Sequence, residues 1–172
     1  AAYSDSFGAI NLRAPRAGPD WHSHITWVQL RFTFINTTTG SPVDVGSGFR
    51  TFLSVFDFDQ RPDRGDGTLR DRECLQVVDG PDREQCYLGQ CESRAWPSEI
   101  DVVSNDAYYA LFDADPSYQA SQLPHRSDHA IYCSTTPGKS ADNPQDPNSL
   151  TELQKARSLM IEVVGSSYVV LR

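Results

Sequence analysis

The chain has 172 residues, the size of one domain that buries about two-thirds of its unfolded surface. Eleven glycines, eleven prolines and a hydrophobic content of 38% indicate short strands joined by many turns. A formal net charge of −8 argues against nucleic acid and anionic membranes as partners, and no apolar run reaches the ~18–20 residues of a membrane-spanning helix.

The first half of the chain carries two long strand patterns. A short opening strand is predicted at 7–12, and the segment 25–36 then alternates cleanly between apolar and polar residues. Its inward side chains are Val28, Leu30, Phe32 and Phe34. After a turn-rich stretch, a second long strand is predicted at 49–59, and we expect it to pair antiparallel with the first. The residues expected to supply its aromatic half of the core are Phe52, Phe56 and Phe58.

The second half continues with shorter elements. Further strands are predicted at 73–78, 100–103, 108–112 and 130–134. The segment 80–96, with two cysteines, is expected to be a loop excursion from the core. Ser149 and Glu152 have the spacing of a capping box, so a short helix is predicted from there through about Arg157. The last strands, predicted at 159–164 and 168–171, are expected to form a hairpin.

These elements predict an all-β fold. Strands stand on both sides of a single short helix, and no regular βαβ alternation supports a parallel sheet. We therefore predict one domain over residues 1–172, an antiparallel β-sandwich of jelly-roll type with one short helix in the C-terminal region.

Four cysteines, at positions 74, 86, 91 and 133, bear on the compartment. Their spacing matches no zinc motif built from two close pairs, and an even count favours two disulfides in an oxidising compartment. Three pairings are possible; we expect Cys86–Cys91 to close a short loop and Cys74–Cys133 to join two strands. The alternative is four buried free thiols in a reducing compartment. The start Ala-Ala-Tyr-Ser, without methionine, is what removal of a targeting peptide predicts, although an arbitrary boundary would look the same.

An acidic cluster is the strongest candidate site. Asp57 and Asp59 lie two residues apart at a strand end, a loop with acids at 63 and 66 follows, and Glu73 opens the next strand. Carboxylate and carbonyl oxygens in this number suit calcium, so these three acids are the candidate ligands, although the register fails the EF-hand template. The alternative pairs the two aspartates with turn N–H groups and with arginines at 61, 64 or 70.

Other catalytic or cofactor patterns are weaker. Asp57 and Asp59 have the separation of a glycosidase pair, but so do any two such residues on a strand. His22, His24, His125 and His129 form two loose pairs that suit zinc or copper in principle, and solvated surface histidines explain them better. Neither a Gly-x-Ser-x-Gly nor a nucleotide-binding glycine loop occurs. We expect no enzymatic activity, and calcium as the one candidate cofactor.

Several features suggest surface contacts. Trp21, Trp96 and Tyr108 are the candidates for an exposed aromatic platform that binds protein or sugar, whereas Trp27 and one tyrosine of the pair at 108 and 109 are expected in the core. Asn36-Thr-Thr38 is a glycosylation sequon in a predicted turn, and so short a motif also recurs by chance. Chance likewise explains the tripeptide Arg64-Gly-Asp66.

Three stretches taken in order resemble a known family. They are Phe56-Asp-Phe-Asp59 followed by Glu73, then Tyr132-Cys-Ser-Thr-Thr-Pro-Gly138, then Asp142-Asn-Pro-Gln-Asp-Pro-Asn-Ser-Leu-Thr-Glu-Leu-Gln154. Over residues 25–171 this order resembles a family of processed, secreted-type β-rich proteins of microalgae, particularly dinoflagellates. The resemblance implies a β-sandwich-like domain outside the cytosol and implies no particular biochemical function. The chain departs from the family pattern in the segment 80–96 and at Cys133, where an aromatic residue is expected.

Three functions follow as hypotheses. The first is a non-enzymatic structural or linking subunit of an extracellular or organelle-lumen assembly. Dinoflagellate-type proteins without catalytic motifs also serve as lumen-side accessory subunits of photosynthetic complexes, and this analogy suggests a thylakoid-lumen context. The second is a calcium-dependent carbohydrate-binding module. The third, a polysaccharide-active enzyme, has the least support from the residues.

Overall fold

The computed structural model describes residues 25–43, 50–60, 72–79, 85–87, 99–114, 126, 129–138, 143–146 and 148–172. The predicted strand at 7–12 and the acidic loop after residue 60 lie outside these ranges. So do Trp21, Trp96 and Cys91, as well as the Arg-Gly-Asp tripeptide at 64–66.

Eight strands and two short helices make up the described fold. In chain order they are β1 Leu30–Thr33, β2 Arg50–Val55, β3 Cys74–Asp79, β4 Gln85–Tyr87, β5 Ile100–Val103, α1 Asn105–Asp113, β6 Ile131–Ser134, α2 Glu152–Ala156, β7 Leu159–Val164 and β8 Tyr168–Leu171. One sheet has the strand order β1-β8-β3-β6-β5 and the other β2-β7-β4, with antiparallel pairing throughout. The predicted all-β antiparallel class is confirmed, with two helices where one was predicted.

Both sheets bury side chains in one hydrophobic cluster. The five-stranded sheet contributes Leu75, Val77, Ile100, Tyr132, Val169 and Leu171, and the three-stranded sheet contributes Leu159, Ile161 and Val163. On β6 the pleat alternates, so that Tyr132 enters this cluster while Ile131 and Cys133 face the opposite side. There they pack against the buried aromatic residues of α1, which covers the second face of the five-stranded sheet. The finer jelly-roll connectivity and the one-domain organisation remain predictions.

The prediction for the two long strands is wrong in its pairing and partly wrong in its faces. β1 alternates as expected, but it pairs with β8, whereas β2 pairs with β7 in the other sheet. On β2, Leu53 and Val55 pack against the core, and Phe52 is 50% exposed. Phe58 is buried as predicted, but it is not on the same strand as Phe52. β2 ends at Val55, and Asp57, with a φ of 68°, interrupts the alternation before Phe58.

The predicted strand at 108–112 is wrong, because these residues belong to helix α1. Ser104 caps this helix, and its Oγ accepts a hydrogen bond from the N–H of Ala107. Tyr108, Tyr109 and Phe112 follow the i, i+1, i+4 spacing of one helix face and pack edge-on. Their β propensity suggested a strand, but the cap and the helical spacing prevail.

Helix α2 begins two residues later than predicted. Its N-cap is Thr151, whose Oγ1 accepts from the N–H of Gln154 at 3.2 Å, while the Thr151 N–H donates to Gln154 Oε1 at 2.9 Å. This is a complete capping box, with glutamine in the place of the predicted Glu152. The predicted Ser149 cap lies two residues too early, and the predicted end at about Arg157 agrees with the observed C-cap.

The last two strands have the predicted bounds but do not form a hairpin. β7 pairs with β2 and β4, whereas β8 pairs with β1 and β3, so the three residues 165–167 carry the chain from one sheet to the other. Gly165 adopts a φ of 65° in this link, a conformation that glycine adopts at little cost. Part of the predicted excursion at 80–96 is also sheet, because residues 85–87 form the edge strand β4.

The predicted disulfide Cys74–Cys133 is confirmed, with an S–S distance of 2.04 Å. The two cysteines stand directly opposite each other on β3 and β6. A hydrogen bond from the Ser134 N–H to Glu73 O joins the neighbouring pair, so the cysteines occupy a non-hydrogen-bonded site, where antiparallel strands approach most closely. Of the predicted Cys86–Cys91 pair, Cys86 lies on β4 whereas Cys91 lies outside the described residues, so this pairing remains a prediction.

Candidate functional site at the end of strand β2

The polar residues after β2 lie in an irregular segment, residues 56–59. Asp57 takes the left-handed conformation, which aspartate tolerates better than most residues. Phe58 then enters the core, and its N–H donates to Arg157 O at 3.1 Å. This segment therefore anchors one aromatic side chain in the core and leaves Asp57 and Asp59 half-buried on either side of it.

Asp59 and Glu73 are brought together by reciprocal hydrogen bonds. The Asp59 N–H donates to Glu73 Oε2 at 3.3 Å, and the Glu73 N–H donates to Asp59 O at 3.1 Å. Ser134, fully buried on β6, connects the two residues. Its Oγ donates to Asp59 O at 2.6 Å and accepts from the Glu73 N–H at 3.2 Å. The predicted proximity of these two acids is thus a feature of the fold, and Ser134 is a supporting residue that sequence reasoning missed.

The crowding of carboxylates changes the acidity of Glu73. Desolvation first, then the charge of Asp59 and more weakly that of Asp57, raise the pKa of Glu73 from 4.5 to about 7, against the lowering effect of the Asp59 N–H. The Glu73 residue as a whole is exposed, so solvent screens part of this repulsion, and the upward direction is what the geometry supports. This end of β2 therefore concentrates negative charge and favours the approach of a cation.

This crowding predicts a pH dependence of stability. Because the pKa of Glu73 is raised on folding, the native state binds more protons than the unfolded state between about pH 4.5 and about pH 7. The contribution of Glu73 to the free energy of unfolding is therefore most favourable below that pH window and is lost as the pH rises through it. We expect urea unfolding midpoints to fall less between about pH 5 and about pH 8 in Glu73→Gln than in the unchanged protein. An equal change of the urea midpoint with pH in the two proteins would exclude Glu73 as the titrating group.

Gly138 closes the other side of Asp59. The Gly138 N–H donates to Gln60 O at 3.2 Å, and a Cβ built on Gly138 would overlap Oδ2, Cγ and Cβ of Asp59. We expect Gly138→Ala to lower the free energy of unfolding by about 1–3 kcal/mol, because the Asp59 side chain must move. Denaturation of Gly138→Ala, Asp59→Gly and the double variant tests the contact. If the alanine costs as much in the Asp59→Gly background as alone, the overlap is not the cause.

A buried ion pair supports the same region from behind. Arg157 Nε donates to Glu99 Oε2 at 2.7 Å, and Arg157 Nη2 donates to Pro137 O at 3.0 Å. Thr136 Oγ1 donates to the same Glu99 carboxylate, and Gln60 N–H donates to Thr136 O at 3.1 Å. The pair thereby fixes the segment that carries Gly138 against the end of β2.

The calcium prediction gains no direct geometric support. Among the described residues, no group of three or more His, Cys, Asp or Glu side chains converges so as to hold a metal ion. The loop at 63–67, expected to complete the coordination of Asp57, Asp59 and Glu73, lies outside those residues, so the calcium site remains a prediction. His22, His24 and His125 lie outside them as well, and the His129 carbonyl accepts from Gln76 Nε2 at 2.9 Å.

The predicted aromatic platform is not assembled as expected. Tyr108 is 6% exposed within α1 and is no surface contact, which corrects the prediction. Trp27 is half-buried beside the same cluster, as expected for a core residue, and the Arg172 guanidinium lies 5.6 Å from its ring. The helix buries both tyrosines of the pair because 108 and 109 are adjacent on its inner face.

The exposed aromatic residue that the sequence reading missed is Phe52. It lies in the middle of β2, which among the described strands has a hydrogen-bonded neighbour on one side only, β7. Apart from the first residue, Arg50, this strand reads Thr-Phe-Leu-Ser-Val and contains no charge or proline. Edge strands of soluble proteins are usually blunted by charged residues or proline, so a strand edge that lacks them after its first residue can pair with a segment of another chain.

None of the helices among the described residues is long and apolar enough to cross a membrane. Comparison with protein families, curated proteins and solved structures found no match for this chain. The resemblance to the microalgal family therefore remains a prediction.

Proposed function

We propose that this protein is a non-enzymatic structural or linking subunit of an extracellular or organelle-lumen assembly. It contacts a partner protein through the β2 surface, which consists of the edge of β2 that has no hydrogen-bonded neighbour among the described strands, of the exposed Phe52, and of the adjoining carboxylates of Asp57, Asp59 and Glu73. The observation that carries the proposal is an edge strand with no charged residue after Arg50 and with an exposed Phe52, which runs directly into crowded acidic residues.

The chemistry of the β2 surface specifies the partner. An edge strand offers backbone N–H and C=O groups that an extended segment of another chain can bind, and Phe52 offers an aromatic anchor. A Lys or Arg next to that segment would meet the carboxylates at the strand end and favour the ionised form of Glu73. The expected partner therefore presents an extended apolar segment flanked by basic residues.

The disulfide supports an oxidising compartment. Cys74–Cys133 joins the two strands beside Glu73, and such bonds persist in oxidising surroundings. A net charge of −8 also suits a protein whose partner is basic. The lumen side of a photosynthetic complex is the specific assembly that we propose to test first.

Site-specific crosslinking tests the β2 surface. A photoreactive phenylalanine analogue is placed at position 52 or at position 102, and each full-length protein is added to an extract of its source. Val102 is 60% exposed on β5 of the other sheet and is the matched control. We expect one dominant crosslinked partner from position 52 that position 102 does not capture.

Binding of the purified partner then gives the magnitude. Phe52→Ser is expected to weaken the affinity by about 10–100-fold, as for an aromatic anchor, and Val102→Ser to leave it unchanged. Added salt should weaken binding further because the carboxylates contribute. Equal affinities of Phe52→Ser and the unchanged protein would exclude the β2 surface.

A calcium-dependent carbohydrate-binding module is the second candidate, and the raised pKa of Glu73 is the observation that favours a cation there. Calorimetric titration of calcium, followed by a glycan array with and without chelator, tests this second candidate. Asp59→Asn should abolish both signals while the chain still folds, and a glycan signal unchanged by chelator would exclude the calcium-dependent form.

A further inference from the structure

The hairpin that follows β1 carries an exposed asparagine in a defined conformation. Asn36 N–H donates to Ser41 O at 2.9 Å and Val43 N–H donates to Phe34 O at 2.8 Å, which closes the hairpin below its tip. Gly40 has a φ of 70°, and its N–H donates to Asn36 O at 2.7 Å. Every residue from 35 to 43 is exposed, so the tip stands away from both sheets.

The two ends of the Asn36 amide are used differently. Its Oδ1 accepts from the Thr38 N–H at 2.8 Å and from the Thr39 N–H at 3.2 Å, which forms an Asx-turn. Within the described part of the protein, Nδ2 donates no hydrogen bond. A substituent on Nδ2 therefore costs the fold no contact, while the turn holds the side chain outward.

Asn36-Thr-Thr38 is the one Asn-x-Ser/Thr sequence in the chain, and its middle residue is not proline. We propose that Asn36 is an N-glycosylation site. The inference goes beyond the proposed function and rests on its extracytosolic location, for which the Cys74–Cys133 disulfide argues, and not on the identity of the partner.

The reaction is a group transfer without oxidation or reduction. Nδ2 of Asn36 forms a bond to C1 of the first sugar of a lipid pyrophosphate-linked oligosaccharide. The bond between C1 and the pyrophosphate oxygen breaks, the lipid pyrophosphate leaves with its electron pair, and Nδ2 loses one proton. The glycan would then shield the apolar residues beside the tip, where Ile35 is 57% and Val43 36% exposed.

The protein isolated from its source provides the direct test. Trypsin is expected to release the peptide 32–50, which contains Asn36 as its one asparagine. The expected result is an intact mass that falls on treatment with peptide N-glycosidase, together with conversion of Asn36 to ¹⁸O-labelled aspartate by that enzyme. A native protein whose peptide 32–50 carries predominantly unmodified Asn36 would overturn the inference.

Expression of the full chain in a eukaryotic secretory host separates the sequon from the fold. Thr38→Ser keeps the sequon and should keep the glycan, whereas Thr38→Val should lose it. Asn148→Gln, at an exposed asparagine outside any sequon, is the control and should leave the glycan in place. A glycan that survives in Thr38→Val would overturn the assignment to Asn36. An unmodified Asn36 in a protein held in a large complex would contradict this inference alone and leave the proposed function standing.

Discussion

Replacing both Cys74 and Cys133 with alanine is expected to lower the free energy of unfolding by about 4 kcal/mol. The two cysteines are 59 positions apart, and closing a loop of that length restricts the unfolded chain by about this amount at 25 °C. The bond also joins β3 to β6 at the centre of the five-stranded sheet, with Cys133 completely buried under α1. Urea unfolding of the oxidised protein and the double variant measures the difference.

The reduced protein supplies the control for this prediction. If the effect comes from the crosslink, reductant should destabilise the unchanged protein by about 4 kcal/mol more than it destabilises the Cys74→Ala, Cys133→Ala variant, which keeps Cys86 and Cys91. A non-reducing peptide map verifies that the starting protein carries the Cys74–Cys133 bond. A loss below about 1 kcal/mol in the double variant would contradict the prediction.

The second large effect is expected from Glu99→Gln, with a loss of about 2–4 kcal/mol. Arg157 is 6% exposed, so removal of the Glu99 charge leaves a guanidinium buried with a neutral amide and the Pro137 carbonyl. The loss stays below that of a fully buried pair because 27% of the Glu99 side chain is exposed. Chemical denaturation gives the value directly.

An exposed pair in the same structure is the matched control. Lys155 Nζ lies 2.9 Å from Glu152 Oε1 on the surface of α2, and Glu152→Gln should change the stability by no more than about 0.5 kcal/mol. Similar losses for the two glutamate substitutions would mean that burial of Arg157 does not determine the outcome.

Much of the secondary structure could be predicted from the sequence, because local patterns dominate it. β7 and β8 begin and end where the apolar runs do, and the all-β class follows from the turn-rich composition. The sheet to which each strand belongs could not be predicted. β7 and β8 are separated by three residues, yet the shared core is filled only when each pairs with distant strands in a different sheet. Their predicted hairpin failed for that reason.

The candidate site was predictable to the same extent. The proximity of Asp59 to Glu73 follows from a strand end and the next strand start, which are close in the sequence. The roles of Ser134 and Gly138 depend on β6 returning beside β3, some sixty to eighty positions later, and no local pattern reports that. Phe52 was assigned to the core because alternation alone does not tell which face of an edge strand is covered.

The claim that this protein acts as a subunit through its β2 surface is tested most directly in its native surroundings. A gentle detergent extract of its source is separated by size, and the fractions that contain this chain are identified by mass spectrometry. The account predicts that the chain migrates with a large complex and that a chain carrying Phe52→Ser shifts to the mass of the free protein. Migration of the unchanged chain near its own 19.2 kDa would contradict it.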